Sequence, residues 1–145
     1  GFFPEDITIV NNIAYVSGLG DGTVRTFNLN LENPSAQLFA PADSGFTQAW
    51  GLKSDGTVLL SLLDNADFTG GAPGPSKLVE YDILTGQKND EWMLPANTVG
   101  HTVSIVDGKY YVTDFGSPRI IEVDPGTGTV NGSWFTSPDW DPMIS

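Results

Sequence analysis

Three stretches of the chain repeat one pattern of apolar and polar positions: a short apolar strand, a two-residue polar turn and a second apolar strand. The turns are Asn11-Asn12, Asp55-Gly56 and Asp107-Gly108. Asp-Gly between apolar runs is a strong hairpin signal, because glycine readily adopts the positive φ that a tight hairpin turn requires. The pattern therefore predicts three β-hairpins, at residues 5–17, 50–61 and 101–113.

A third and a fourth strand follow each hairpin. The predicted third strands cover residues 23–28, 77–82 and 119–124, and the fourth strands cover residues 36–39, 90–94 and 132–135. The unit repeats after 45 and then 51 residues, counted at Ile7, Leu52 and Val103. Four strands in a repeat of this length are typical of a β-propeller blade. The alternative interpretation is a sandwich of about twelve strands.

The predicted fold class is therefore all-β, a β-propeller with three four-stranded blades. The blades cover residues 4–41, 47–95 and 99–138, and residues 139–145 start the link to a further blade. Propellers close with roughly four to eight blades, and three blades leave sheet faces and strand edges uncovered. We therefore expect the chain to be the N-terminal half of a six-bladed propeller. Three further blades would come from the same gene product or from a second copy.

Composition and charge narrow the possible partners. Six Lys and Arg stand against 18 Asp and Glu, which gives a net charge of −12 and excludes nucleic acid as a partner. No apolar run approaches the roughly 18 residues that a membrane span requires. Cysteine is absent, so disulfides and thiolate metal sites are excluded. The sequon at Asn131 favours a secreted, extracellular protein.

The chain resembles a known superfamily in short motifs of its first blade. These motifs are residues 3–7 (FPEDI), 15–17 (YVS) and 20–24 (GDGTV), which resemble the gluconolactonase, senescence-marker and strictosidine-synthase-like six-bladed propellers. A closer resemblance is to a secreted fungal branch that includes the propeller allergen of Malassezia yeasts and a trichothecene-cluster protein. The motifs shared with that branch are residues 4–6 (PED), 51–52 (GL), 65–68 (NADF) and 118–120 (PRI).

The repeat places Glu5, Trp50 and His101 at equivalent positions, at the start of the strand that lines the channel of a propeller. The resemblance implies that Glu5 binds a divalent metal such as Ca²⁺, together with Asn and Asp residues of other blades. Trp50 cannot ligate a metal, and one Glu with one His makes a poor site for a hard cation. The alternative is that Glu5 or Asp6 accepts backbone hydrogen bonds at the channel mouth. His101, the single histidine, is either a pocket-lining group or a polar group satisfied locally.

Aromatic residues suggest the character of the pocket. Phe46 and Trp50 precede a first strand and are candidates to line it with Glu5 and His101, whereas Phe39, Trp92 and Trp134 are expected between blades. Trp140 lies in the loop before the expected fourth blade. An aromatic wall suits a hydrophobic ligand.

Two shorter segments resemble motifs that carry chemistry in other proteins. Residues 64–71 alternate oxygen-bearing side chains but lack the bidentate Glu of a calcium loop, which favours a solvated loop, and residues 63–76 are the best candidate for a lid. The tripeptide at residues 114–116 (DFG) matches a kinase motif without any other kinase element, so no function follows from it.

Two functions follow as hypotheses. The first is a secreted propeller that binds a small hydrophobic or lipid-like molecule at Glu5, Phe46, Trp50 and His101, without catalysis. The alternative is a hydrolase of lactones or esters that depends on a divalent metal at Glu5. Fold alone does not separate them.

Overall fold

A computed structural model describes residues 1–65 and 74–136, and this part of the chain contains twelve strands and no helix. The strands form three separate four-stranded antiparallel sheets, each in sequence order. This confirms the predicted all-β fold with three four-stranded blades, and excludes the sandwich, which would join twelve strands into two sheets.

We number the blades along the chain. Blade 1 contains β1 (Pro4–Val10), β2 (Ile13–Gly18), β3 (Val24–Asn28) and β4 (Gln37–Ala40). Blade 2 contains β5 (Gln48–Ser54), β6 (Val58–Asp64), β7 (Ser76–Asp82) and β8 (Lys88–Met93). Blade 3 contains β9 (Gly100–Val106), β10 (Lys109–Asp114), β11 (Arg119–Asp124) and β12 (Thr129–Thr136).

The hairpin turns have the backbone geometry that their sequences predict. Asn11 and Asn12 have φ of 50° and 59°, and Asp107 and Gly108 have φ of 51° and 75°. Two successive positive φ values give the turn a backbone twist that matches the right-handed twist of the two strands it joins. Gly56 takes φ of 96° in the middle hairpin, where Asp55 accepts the amide hydrogens of the residues that follow. The local turn chemistry therefore fixes the pairing of the first two strands in every blade.

Blade 2 is the centre of the molecule because both of its faces are buried. Alternate residues of a strand point to opposite faces of its sheet. Leu59 and Leu63 of β6 pack toward blade 1, with Tyr15 and Val24, whereas Leu60 and Leu62 pack toward blade 3. Five buried side chains of blade 3 complete the second interface: Val103, Tyr110, Val112, Ile121 and Val123. The blades thus stack face to face.

The first strands of the blades lie side by side. β5 contacts β1 on one side and β9 on the other. This arrangement brings the N-terminal ends of the three first strands together, which is where the sequence places its candidate site.

Candidate functional site

A β-bulge interrupts the first strand at the same place in every blade. The register between first and second strands shifts between Pro4 and Ile7 in blade 1, between Ala49 and Leu52 in blade 2, and between Gly100 and Val103 in blade 3. Beyond the bulges the pairs are again equivalent: Ile7 with Val16, Leu52 with Ser61, and Val103 with Val112. Glu5, Trp50 and His101 are therefore structurally equivalent, each lying within a bulge. Bulges commonly re-aim side chains beside functional sites.

The bulges bring these three side chains into one cluster. The rings of Trp50 and His101 meet edge to face with centroids 5.6 Å apart, and His101 Nε2 lies 4.0 Å from Glu5 Oε1. The Glu5 side chain is 28% exposed and that of His101 is 44% exposed, so a ligand can reach both. Their roles in ligand binding stay a prediction.

Phe115 is a fourth member of the cluster that the sequence analysis missed. Its ring lies 5.6 Å from the His101 ring, with the two planes tilted by 51°. Its strand β10 ends at Asp114, which pairs with Gly100 next to the third bulge. The register of the predicted hairpin between β9 and β10 could have indicated this position. It places the residue that follows β10 at the same end of the blade as His101.

Phe46 lies in another environment. Its ring covers the Lys77 ammonium at 4.5 Å from the ring centroid, and it packs against the core between blades 1 and 2. A cation above an aromatic face is a stabilising arrangement in its own right. The contacts of Phe46 therefore account for it as part of the blade interface, and its predicted role in the pocket is not tested by them.

Asp6 accepts backbone hydrogen bonds next to the cluster, as one interpretation of the sequence expected for Glu5 or its neighbour. Its Oδ1 accepts the N–H of Ile7 at 2.8 Å, and its Oδ2 accepts the N–H of Leu52 at 2.8 Å. The second bond crosses from blade 1 to blade 2. Hydrogen bonds to a charged acceptor are stronger than neutral ones. Asp6 thereby fixes blade 2 relative to Glu5.

Ser17 adds a second bridge at the same place. Its fully buried hydroxyl donates to the carbonyl oxygen of Trp50 at 2.6 Å and accepts the N–H of Asp6 at 3.1 Å. The backbone of Trp50 is thus tied to the second strand of blade 1, which positions its indole beside His101.

Gly51 allows blades 2 and 3 to approach closely next to the cluster. A Cβ atom on Gly51 would lie 2.6 Å from the carbonyl oxygen of His101 and 3.0 Å from Cα of Thr102. Both atoms belong to the backbone of β9, so neither moves aside easily. The absence of a side chain at residue 51 therefore permits the close approach of β5 and β9 beside Trp50 and His101.

A buried ion pair holds the loop that carries Phe115. The Asp114 carboxylate is fully buried, and Arg119 Nε donates to its Oδ2 at 2.7 Å. Its Oδ1 accepts the N–H groups of Val99 and Gly116, and the N–H of Phe115 donates to the carbonyl oxygen of Val99 at 2.7 Å. These bonds fix Phe115 against the residues that lead into β9.

The cluster does not have the donor set of a hard-cation site. Glu5 and His101 are its ionisable side chains, and residues 1–65 and 74–136 contain no group of three or more His, Asp and Glu side chains arranged to hold a metal. Ca²⁺ takes six to eight oxygen ligands. The predicted metal role of Glu5 therefore finds no support among these residues. Several sequence-based predictions fall outside the described residues. They concern residues 66–71 of the calcium-like segment, residues 66–68 of the fungal motif, most of the predicted lid, and Trp140.

A charge network covers the interface between blades 1 and 2. Lys77 lies 2.7 Å from both Asp43 and Glu91, and Lys88 bridges the same two carboxylates. Burial raises the pKa of Asp43, but the hydrogen bonds from the two lysines outweigh it and hold the pKa below its ordinary value. The hydrogen bond to Asp43 raises the pKa of Lys88 despite partial burial.

Comparison with known proteins shows the fold. No protein-family model matches the chain, and no curated protein sequence matches it. The structure is similar to the major allergen Mala s 1 of Malassezia sympodialis, with 18% identity and a TM-score of 0.69, over 89% of this chain and 48% of the allergen. Mala s 1 is a β-propeller. The chain therefore has the β-propeller fold.

Two further solved structures are similar. The glutaminyl cyclase of Myxococcus xanthus has 18% identity and a TM-score of 0.57, over 96% of this chain and 60% of the cyclase. The computationally designed Ika8 protein has 15% identity and a TM-score of 0.62, over 87% of this chain and 34% of the design. The chain thus spans about a third to three-fifths of the length of these three proteins. In the residues that the structure covers, no helix is long and apolar enough to cross a membrane.

Proposed function

We propose that the inner ends of β1, β5 and β9 form a binding site for a small hydrophobic or lipid-like molecule, in the central pocket of a six-bladed propeller. The observation that carries the proposal is the cluster itself. Three equivalent bulges bring Trp50 and His101 together, with Phe115 against His101 and the Glu5 carboxylate at its edge. In this proposal the protein binds its ligand and does not transform it.

The chemistry of the cluster indicates the class of ligand. Aromatic rings offer a large apolar surface, and edge-to-face pairs leave part of each ring free for contact. Glu5 accepts hydrogen bonds, and the His101 imidazole can donate or accept one. A molecule with an apolar body and one polar end that carries a donor fits both features. This is the usual composition of a ligand pocket, mostly apolar with a few directed polar groups.

The proposal also places the chain in the gluconolactonase, senescence-marker and strictosidine-synthase-like superfamily, near its secreted fungal branch. The short motifs of blade 1 support this placement, and the similarity of fold to Mala s 1 agrees with it. An extracellular location belongs to the same proposal. Asn131 is exposed on β12, as an acceptor of N-linked glycan requires.

A binding assay tests the proposed pocket. The probe is a dansyl-labelled lysophosphatidylcholine below its critical micelle concentration, and the readout is the anisotropy of the dansyl group. Trp50→Ala is expected to weaken binding by about tenfold to a hundredfold, because burial of an aromatic side chain contributes about 1.5–3 kcal/mol. Leu84→Ala is the control, since Leu84 is 91% exposed in the turn between β7 and β8.

The same assay can reject the proposal. Far-UV circular dichroism first establishes that each variant is folded. Equal affinity in the parent chain and in folded Trp50→Ala and His101→Ala variants would show that the probe binds elsewhere, and no detectable binding to the parent would reject this ligand class.

The second candidate is a metal-dependent hydrolase of lactones or esters. The specific observation in its favour is the approach of Glu5 Oε1 to His101 Nε2 at 4.0 Å, which brings two potential ligands together. Calorimetric titration with Ca²⁺, Mg²⁺ and Zn²⁺ beside a lactone hydrolysis assay tests it. Micromolar metal binding with turnover that disappears in Glu5→Gln would favour the hydrolase over the binding protein.

A further inference from the structure

Each blade ends in an outer strand, on the side of the sheet opposite to its first strand. The strand order places β4, β8 and β12 at these outer edges. The blades contact one another through their faces and their first strands. A further blade packed in the same way would cover a face of blade 3 and leave the edge of β12 free. A free edge presents backbone N–H and C=O groups that can pair with a strand of another molecule.

The outer strands of blades 1 and 2 have features that discourage such pairing. Strand β4 has only four residues, Gln37–Ala40. Strand β8 has six residues, and its first four are exposed and include Lys88, Asp90 and Glu91. Very short edge strands and exposed charges are two of the usual means by which proteins protect a sheet edge.

Strand β12 has neither of these features. It has eight residues, Thr129–Thr136, and none of them is charged. A register shift interrupts its pairing with β11, but β4 and β8 have such shifts as well. A strand that contains β-branched and aromatic residues, without charge or proline, has the composition of segments that aggregate through β-pairing. The edge of blade 3 therefore lacks the protection that the other two edges have.

A sequon lies in the middle of this edge. Asn131, Gly132 and Ser133 are the third, fourth and fifth residues of β12, and Asn131 is exposed. The Ser133 N–H donates a hydrogen bond to Asn131 Oδ1 at 3.0 Å. Asn131 Nδ2, the atom that receives a sugar, donates no hydrogen bond within the described part of the chain. The amide nitrogen is thus accessible on the edge that lacks charge.

Blades 1 and 2 show that this position stays exposed when another blade follows. The residues equivalent to Asn131 by strand register are Gln37 on β4 and Asp90 on β8. Each lies on the face that carries Tyr15 or Leu60 and packs on the following blade, and each is exposed. The exposure of Asn131 therefore does not depend on whether a blade follows blade 3.

We propose that Asn131 carries an N-linked glycan and that this glycan shields the free edge of β12. The proposal rests on the extracellular location proposed above. The hydrated oligosaccharide would provide the steric bulk and solubility that charged side chains provide on β8.

The modification is a group transfer from an oligosaccharide that is joined through its anomeric carbon to a lipid pyrophosphate. Asn131 Nδ2 forms a bond to that carbon, and the bond from the carbon to the pyrophosphate oxygen breaks. The oxygen keeps the electron pair, and the proton lost from Nδ2 passes to the departing pyrophosphate through the base of the transferase. The Ser133 hydroxyl is the group that a transferase recognises in a sequon.

Secretion of the chain from yeast behind a heterologous leader tests the site itself, independently of the natural location. The purified chain should have an intact mass above 15.5 kDa that falls to the chain mass after peptide N-glycosidase F, with Asn131 converted to aspartate. Ser133→Ala should remove the glycan, and Ser133→Thr should keep it. Thr127→Asn in an Asn131→Gln background is the control, because it creates a sequon with Gly128 and Thr129 in an exposed turn.

A comparison of two variants without glycan tests the shielding. Asn131→Gln should aggregate severalfold faster than the glycosylated parent, measured by light scattering and thioflavin T fluorescence. Asn131→Lys should return the rate close to that of the parent, because it places a charge on the edge. Thr127→Lys in the Asn131→Gln background makes the same change of charge outside β12 and should not do so. All variants have the same open faces, so the differences report on β12.

Three results would overturn the proposal. A secreted, folded parent without a glycan, beside an occupied Thr127→Asn control, would show that Asn131 is not a modification site. Equal aggregation rates in Asn131→Gln and Asn131→Lys would show that the edge of β12 needs no shield. Glycosylation in yeast but not in the natural source would contradict the extracellular location. Binding of the dansyl probe should be unchanged in Asn131→Gln, so failure of the glycan and failure of the proposed pocket are distinguished.

Discussion

Replacing Asp6 by alanine is expected to loosen the contact between blades 1 and 2 without touching the hydrophobic core. The Asp6 carboxylate accepts the N–H groups of Ile7 and Leu52, both at 2.8 Å. The variant removes both acceptors. The result should be a lower free energy of unfolding and a less firmly placed Trp50.

The size of the loss follows from the exposure of the two donors. Ile7 is 56% exposed, so its N–H can turn to water in the variant. Leu52 is 5% exposed, so its N–H is left without an equivalent acceptor. A hydrogen bond to a charged group contributes about 1.5–3 kcal/mol, and this range is the expected loss for Asp6→Ala.

Urea denaturation followed by circular dichroism, at one fixed protein concentration, measures the effect. Glu32→Ala is the matched control because it also removes one negative charge, from an exposed loop residue, and should change stability by no more than about 0.5 kcal/mol. Asp6→Asn should fall between, since its amide oxygen can still accept one bond. A loss below about 0.5 kcal/mol in Asp6→Ala would refute the reasoning that the carboxylate couples the two blades.

Two further predictions concern packing and pH. Gly51→Ala should lower the free energy of unfolding by about 1–3 kcal/mol, because its Cβ would lie 2.6 Å from the carbonyl oxygen of His101, whereas Gly126→Ala in an exposed turn should not. Equal melting temperatures for the two variants would contradict this. The depressed pKa of Asp43 contributes stability above its unfolded value of about 3.9, and this contribution is lost as pH falls through the folded pKa. The urea midpoint of the parent should therefore drop more steeply with acid than that of Asp43→Asn, and parallel curves would argue against the pairing with Lys77.

The sequence predicts well those elements whose conformation is determined by residues close together in the chain. Asn11-Asn12 and Asp107-Gly108 specify tight turns through the φ values that these residues tolerate, so the hairpins follow directly. The equivalence of Glu5, Trp50 and His101 is also predictable, because each lies two residues before the matching apolar residue of the repeat, Ile7, Leu52 or Val103.

The rest of the site depends on contacts within and between blades that a repeat pattern does not encode. Phe115 follows its strand at a loop position that has no fixed apolar period, and only the pairing of Asp114 with Gly100 places it near His101. The Asp6 bridge depends on a bulge that turns one carboxylate toward the next blade. Phe46 precedes β5, and its ring covers the Lys77 ammonium, a contact that the sequence pattern does not indicate. These are properties of three-dimensional packing.

The most direct test of the convergence of the three blades is a measurement of nuclear Overhauser effects from the His101 ring. His101 is the single histidine of the chain, so its imidazole resonances are unambiguous. We expect cross-peaks from these protons to the rings of both Trp50 and Phe115, whose centroids lie 5.6 Å away. A spectrum with a resolved His101 ring and no cross-peak to Trp50 would show that blades 2 and 3 do not meet at the bulges, and would contradict the proposed site.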